Sequence, residues 1–269
     1  MYGLITFLTD FGMRDDYAGV CRGVIKRIAP DVQILDVTHG ISPQAVTEGA
    51  LMLARAIPYL PEGIHLAVVD PGVGGARRAV AIRARAGRLY VGPDNGLLTL
   101  AAPRDTIEAA RGLTNSRYHL EPVSRTFHAR DVFAPVAAHL ASGADFADLG
   151  EEVDPGTLVC IDLPQPTVGT GGIRANVLVV DRFGNLQLNL TRDHVATFGV
   201  QPGDRVELRF ELDPYYAVVA ETYEDASRGE LLLYEDSYGA YAIAISGGDA
   251  SNLTGATPGD EVRIGRAYD

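Results

Sequence analysis

The chain has 269 residues, 46% of them hydrophobic, with a formal net charge of -12 and one lysine, Lys26, among 23 cationic side chains. That is enough apolar material for one large core or two smaller ones, two domains being the better expectation, and so acidic a surface suits neither nucleic acid nor an anionic membrane. No apolar run approaches the roughly 18 to 20 residues that span a bilayer, and the N-terminus enters a strand without a basic leader, so a cytoplasmic protein is expected.

Gly3 to Leu8 is apolar and β-prone and ends in Thr9-Asp10-Phe11-Gly12, a carboxylate at a strand end. The acidic pair Asp15-Asp16 suits the start of a helix, whose apolar positions Tyr17, Val20, Cys21, Val24, Ile25 and Ile28 recur at helical spacing before Pro30 stops it. A second strand, Val32 to Val37, carries Asp36, and a second helix is predicted from about Pro43 to Ile57, with proline in its first turn. The third strand, Ile64 to Val69, runs into Asp70-Pro71-Gly72-Val73-Gly74-Gly75-Ala76-Arg77. Strand, helix, strand, helix, strand predicts right-handed crossovers and a largely parallel sheet, with Asp10, Asp36 and Asp70 at one edge, where such sheets bind ligands. Asp-Pro-Gly is equally ordinary turn chemistry, and both readings stand at this point.

Further strands are expected at Ala79 to Ile82 and Leu89 to Val91, and Gly92-Pro93-Asp94-Asn95-Gly96 reads as a turn opening a short helix. Neither a Gly-x-Gly-x-x-Gly at the first helix nor a P-loop occurs, so ordinary dinucleotide and P-loop readings fail. Thr126-Phe127-His128-Ala129-Arg130-Asp131 precedes an amphipathic segment, Val132 to Leu140, and His128 would serve there as a cap or packing group as readily as a functional one. Leu163 to Gly172 has linker composition. It divides an α/β domain, residues 1-165, from an all-β barrel or sandwich, residues 172-269, with strands at Ile173 to Val180, Leu186 to Leu190, Arg205 to Leu212, Leu231 to Tyr234, Tyr241 to Ile245 and Glu261 to Ile264. Cys21 and Cys160, on an apparent helix and an apparent strand, are expected to be free buried thiols.

The stretches Thr9-Asp10-Phe11-Gly12, Asp36-Val37-Thr38-His39, Glu48-Gly49-Ala50, Val69-Asp70-Pro71-Gly72-Val73-Gly74, Arg77, Thr126 to Asp131, Asp181-Arg182-Phe183-Gly184-Asn185 and Asp236-Ser237-Tyr238-Gly239, in this order, resemble the S-adenosyl-L-methionine hydrolases, or SAM hydroxide adenosyltransferases, relatives of fluorinase and chlorinase. The resemblance implies an α/β domain followed by a β-barrel, in a homotrimer whose sites lie between the first domain of one subunit and the second of the next. It implies attack of water or hydroxide on ribose C5′ of S-adenosyl-L-methionine, or of its R-sulfonium epimer, giving adenosine and L-methionine. No metal and no organic cofactor is implied.

The family's water-handling triad maps onto Asp70, Arg77 and His128. A sulfonium leaves as a neutral thioether and needs no acid, so the difficulty is the weak nucleophile; a carboxylate beside a guanidinium, with an imidazole, orients a water first and deprotonates it second. Asp10 maps onto the acid that grips the ribose hydroxyls, with Asp70 close enough to contribute. Phe183 and Asn185 match the adenine-binding turn, Ser237 and Tyr238 the stretch that meets the methionine moiety, and Ile245 a backbone contact to the adenine edge. Ala242 and Ser246 stand where hydrolases often have Glu and Asn, and Gln44 where fluorinase has tryptophan. A SAM-dependent halogenase, a non-catalytic adenosine or SAM sensor and a metal-dependent hydrolase built on Asp10, Asp70 and His128 are the alternatives; halide-using relatives lack the Asp and His of the triad, a sensor would not need Arg77, and no local metal-ligand spacing is present.

Overall fold

The computed structural model describes residues 2-211 and 213-267. The chain divides after Ile161 into two compact units. In the first, β1 (Leu4–Thr9), α1 (Tyr17–Ile28), β2 (Gln33–Thr38), α2 (Val46–Ala56) and β3 (Ile64–Val68) are followed by β4 (Ala79–Ala84), β5 (Arg88–Pro93), β6 (Ile107–Gly112), α3 (Ala134–Ala141) and β7 (Glu152–Val153). The sheet order is β2-β1-β3-β5-β4-β6-β7. It is parallel through β2, β1, β3 and β5 and antiparallel beyond. The parallel half carries the carboxylates at its carboxyl ends.

Both faces of this sheet are covered. Ala18, Cys21 and Ile25 of α1 pack with α3 over Ile64, Leu66 and Val68, while Ala50 and Leu53 of α2 cover Ala67 and Val69 on the other face. A strand buried on both faces must be continuously apolar, which explains why β3 shows no alternation. Gly49 lets α2 approach closely, since a Cβ there would lie 3.0 Å from both Val69 and Leu97. The segment expected to be amphipathic differs: α3 is buried at every position except His139, because it lies between α1 and the sheet rather than at the surface. Asp94 to Gly96 opens turns and no helix.

The second unit contains β8 (Thr167–Gly169), β9 (Gly172–Val180), β10 (Leu186–Thr191), α4 (Arg192–Phe198), β11 (Arg205–Phe210), β12 (Asp213–Ala220), β13 (Leu231–Glu235), β14 (Ala240–Ile245), α5 (Ala250–Thr254) and β15 (Glu261–Arg266). The order β10-β14-β13-β12-β11-β15-β9 closes through a β10–β9 pairing into a seven-stranded barrel, and β8 adds to β9 outside the ring. Part of the expected linker is therefore a strand, because Thr167 to Gly169 finds a partner in Gly172 to Arg174. Leu212, at the end of the strand predicted from Arg205, lies outside the described residues. Cys21 is buried, and burial pushes its thiol up to about 12. Cys160 corrects the expectation: it is exposed and lies in the irregular segment after the first core, where no sheet covers it.

Candidate active site

At the carboxyl ends of β1 and β3 a cleft of about 370 Å3 is lined by Asp10, Phe11, Tyr17, Gln44, Asp70 and His128, among others. Two tight turns after β3, closed by Val73 N to Asp70 O (3.2 Å) and Gly75 N to Gly72 O (3.0 Å), bring Arg77 back onto Asp70. Gly74 is required there: its φ is +74°, and a Cβ would strike the Arg125 carbonyl. Arg77 Nε donates to both Asp70 oxygens at 3.0 and 3.1 Å, and Nη2 lies 2.5 Å from Oδ2. The guanidinium also stacks over Phe133, 5.2 Å from the ring centre. With side-chain exposures of 12% and 6%, Arg77 and Asp70 form a shielded pair rather than a surface contact.

His128 joins this pair from the segment that precedes α3, Arg77 Nη2 donating to its Nδ1 at 2.8 Å. Arginine has no acceptor, so Nδ1 supplies a lone pair and the neutral ring carries its proton on Nε2. Burial, and then the Arg77 charge, push the imidazole below its ordinary range; Asp70, Asp131 and the Ser124 carbonyl pull the other way without prevailing. His128 is thus neutral at neutral pH, with Nδ1 engaged by Arg77. The residue owes its place to a π turn, Ala129–Phe133, in which the amides of Arg130 and Asp131 both reach the Phe127 carbonyl at 3.2 Å. Fully buried Asp131 anchors that turn through Arg130 (2.6 Å) and the Ser124 amide (2.8 Å).

Asp10 faces the same cleft and accepts from the Gln44 amide at 2.8 Å. Asp36 shares the sheet edge but not the cleft: it is paired with Arg22 (2.5 Å) and His39 (3.1 Å). Burial pushes its carboxyl up, but those two hydrogen bonds outweigh burial and hold it below the usual range. Residue reading passed over the aromatic wall, Phe11, Tyr17 and Phe127, whose rings meet edge-on or tilted at 5.2 to 5.9 Å. The available signal was the position of Phe11 beside Asp10 and of Phe127 beside His128; Tyr17 carried none. Among the described residues no group of three or more His, Cys, Asp or Glu side chains is placed to hold a metal ion.

The remaining candidates lie on the second unit. Asp181 shapes the turn before β10, accepting from the amides of Phe183 (2.8 Å) and Asn185 (3.0 Å) and from Asn185 Nδ2 (2.8 Å). Asn185 is consequently buried and fixed, while Phe183 stands 70% exposed. The register Leu186↔Ile243 puts this turn at the Ile245 end of β14, whereas Ser237 and Tyr238 lie in the turn that begins β14, where Asp236 Oδ1 accepts from Tyr238 N at 2.8 Å. Asn185 and Ile245 are thus neighbours, and Ser237 and Tyr238 occupy the opposite end of the strand. Tyr223, another residue that sequence reading passed over, has its hydroxyl 3.4 Å from Asn185 Nδ2 and 2.6 Å from that of Tyr234.

An α/β unit with a guanidinium-bound carboxylate and a histidine in the cleft at its strand ends, followed by a closed barrel, defines the class of two-domain protein to which this chain is compared. Residues 5–150 match the SAM hydroxide adenosyltransferase N-terminal domain and residues 175–263 its C-terminal domain, and the chain belongs to that family. It is 48% identical over 263 residues to the (R)-S-adenosyl-L-methionine hydrolase of Salinispora tropica, with 97% of each chain covered. A crystal structure of an uncharacterized conserved protein from Thermotoga maritima superposes with a TM-score of 0.89 at 36% identity, covering 97% of this chain and 99% of the other. The fluorinase of Actinoplanes sp. is more distant, 29% identical with 90% of each chain covered.

Proposed function

We propose that the protein is an enzyme hydrolysing (R)-S-adenosyl-L-methionine to adenosine and L-methionine. The observation that carries the reading is the Asp70–Arg77–His128 cluster in the cleft that also holds Asp10. A water oxygen forms the new bond to ribose C5′ as the C5′–S bond breaks, the bonding pair leaving on sulfur and turning the sulfonium into a neutral thioether. The water's proton goes to Asp70 and then to solvent. Arg77 holds the carboxylate in place and His128 in its neutral form. Alignment supplies the larger share of the acceleration, roughly 7 to 11 kcal/mol for well-oriented groups, against about 10² to 10⁴-fold for a general base.

Asp10 binds the ribose diol. Phe183 and Asn185 meet the adenine with the Ile245 backbone, and Ser237 and Tyr238 meet the methionine moiety. Support for the first group is its geometry: an exposed ring beside a fixed amide suits a planar base. The substrate-binding set is divided between the two units, and by resemblance we read the protein as a cytoplasmic homotrimer with sites between subunits. No described helix is long and apolar enough to cross a membrane.

Halide transfer is the weaker reading, since an anionic nucleophile would have to enter beside the Asp70 carboxylate while a neutral water does not. The test is incubation of pure protein with each sulfonium epimer, with and without chloride and with and without a chelator. Adenosine and methionine should appear in every case with the R epimer. A 5′-chloronucleoside as main product, or no turnover of either epimer, would refute the assignment.

A further inference from the structure

The turn that carries Asp10 is held on both sides, by a side chain before it and by a backbone amide after it. Thr9 Oγ1 lies 2.7 Å from Nδ1 of buried His39, and the Gly12 amide donates to the His39 carbonyl at 2.7 Å. His39 is itself fixed, with Nε2 3.1 Å from Asp36 Oδ1 and 3.0 Å from Arg22 Nη2. With Thr9 and Gly12 pinned to one residue, the freedom left to Asp10 is rotation of its own carboxylate. The Gln44 amide, 2.8 Å from Oδ2, takes up that freedom.

Gln44 reaches this position through an unusual backbone. Its φ is +66°, in the left-handed region that costs a residue with a Cβ and that glycine or asparagine enters more readily. The same conformation explains why α2 starts at Val46 instead of near Pro43: a left-handed residue cannot belong to the first turn of a right-handed helix. The Gln44 side chain is exposed, so its packing does not account for the strain. Strain in a cleft, spent on aiming one N–H at one carboxylate, points to function.

We propose that Gln44 is a positioning residue which acts through its main chain: its amide fixes the rotation of Asp10 so that the carboxylate is preset to accept both hydroxyls of a vicinal diol. The proposal rests on reading Asp10 as the ribose acid. A carboxylate anchored through one oxygen keeps lone pairs on both for the ligand, and presetting removes the entropy of orienting it on binding.

The test uses the full chain and adenosine, titrated calorimetrically. Asp10→Ala comes first; unchanged affinity there would refute the ribose reading and leave the Gln44 geometry without a purpose. Gln44→Gly keeps the amide and relieves the strain, and is expected to weaken adenosine by no more than about threefold, whereas Gln44→Val, β-branched and hostile to positive φ, should weaken it about tenfold. In an Asp10→Ala background Gln44→Val should cost less than about twofold more. Equal effects of Gly and Val, or additive losses in the double variant, would overturn the proposal. Amide hydrogen exchange gives an independent reading: Gln44 N–H should be protected in the parent protein and lose protection in Asp10→Ala, and no difference would also overturn it.

Discussion

In the proposed reading Asp70 and Arg77 act as one unit, and their variants should show it. Asp70→Asn is expected to lower kcat by about 10² to 10⁴-fold while adenosine affinity changes by no more than about threefold, because the group lost is the one we propose to handle the water. Arg77→Lys should also cost most of the turnover: a point charge cannot hold both oxygens of Asp70 and the Nδ1 of His128 at once. Stopped single-turnover assays on the two single variants and the double would show the double little worse than either; multiplied effects would argue against a shared water. His128 offers a check without catalysis. Burial and the Arg77 charge both lower its pKa, so its NMR titration should fall below 6.5, and Arg77→Ala should move it upward, since Asp70 then acts unopposed by the guanidinium. Wherever turnover needs the neutral ring, the acid limb of the rate profile follows the same direction, lying below 6.5 in the parent protein.

At the scale of elements, β3 both delivers Asp70 and buries a titratable group. His65 is wholly inaccessible, its Nδ1 2.9 Å from Thr6 Oγ1 and its Nε2 without a partner, and burial pushes its pKa down to about 4. The folded state then binds fewer protons than the unfolded one between about pH 4 and 6.5, so the stability is present above 6.5 and is lost as pH falls through that window, by about 3 kcal/mol for this residue. Urea titrations at pH 7 and pH 4 should show a drop that His65→Leu reduces. The continuous apolar run of β3 was legible in sequence, and so were the crossovers that bring Asp10 and Asp70 to one edge. Gln44 was not: local spacing put it in a helix, and only contact with a carboxylate 34 positions away explains its left-handed backbone. The same holds for β8, which has linker composition and becomes a strand because the first residues of β9, ahead of its pairing with β10, offer it partners. Asp36 illustrates the converse, a carboxylate correctly placed at the edge whose role is decided by Arg22 and His39, not by its position on the strand.

For the whole molecule, each unit has its own hydrophobic core, and the barrel leaves no unpaired edge within its ring. Residues 162-269 expressed alone are expected to melt cooperatively with a β-rich circular dichroism spectrum. The proposed arrangement of shared sites is tested by complementation: co-refolding equal amounts of Asp70→Asn and Asn185→Ala chains should restore about a quarter of the sites if each joins two subunits of a symmetric ring, and none if each lies within one chain. One further property follows from counting. Around a closed ring of strands, direction can alternate without interruption only if the number is even, so seven strands oblige at least one neighbouring pair to run the same way. Here that pair is β12 and β13. Parallel neighbours cannot be joined by a hairpin, so the chain must travel back along the barrel between them, and residues 221–230 make that return outside the wall. Tyr223 belongs to this return, which is how its hydroxyl comes to rest against Asn185. An eighth strand in the ring would remove the obligation, and with it the reason for a segment to lie over the turn that we assign to adenine.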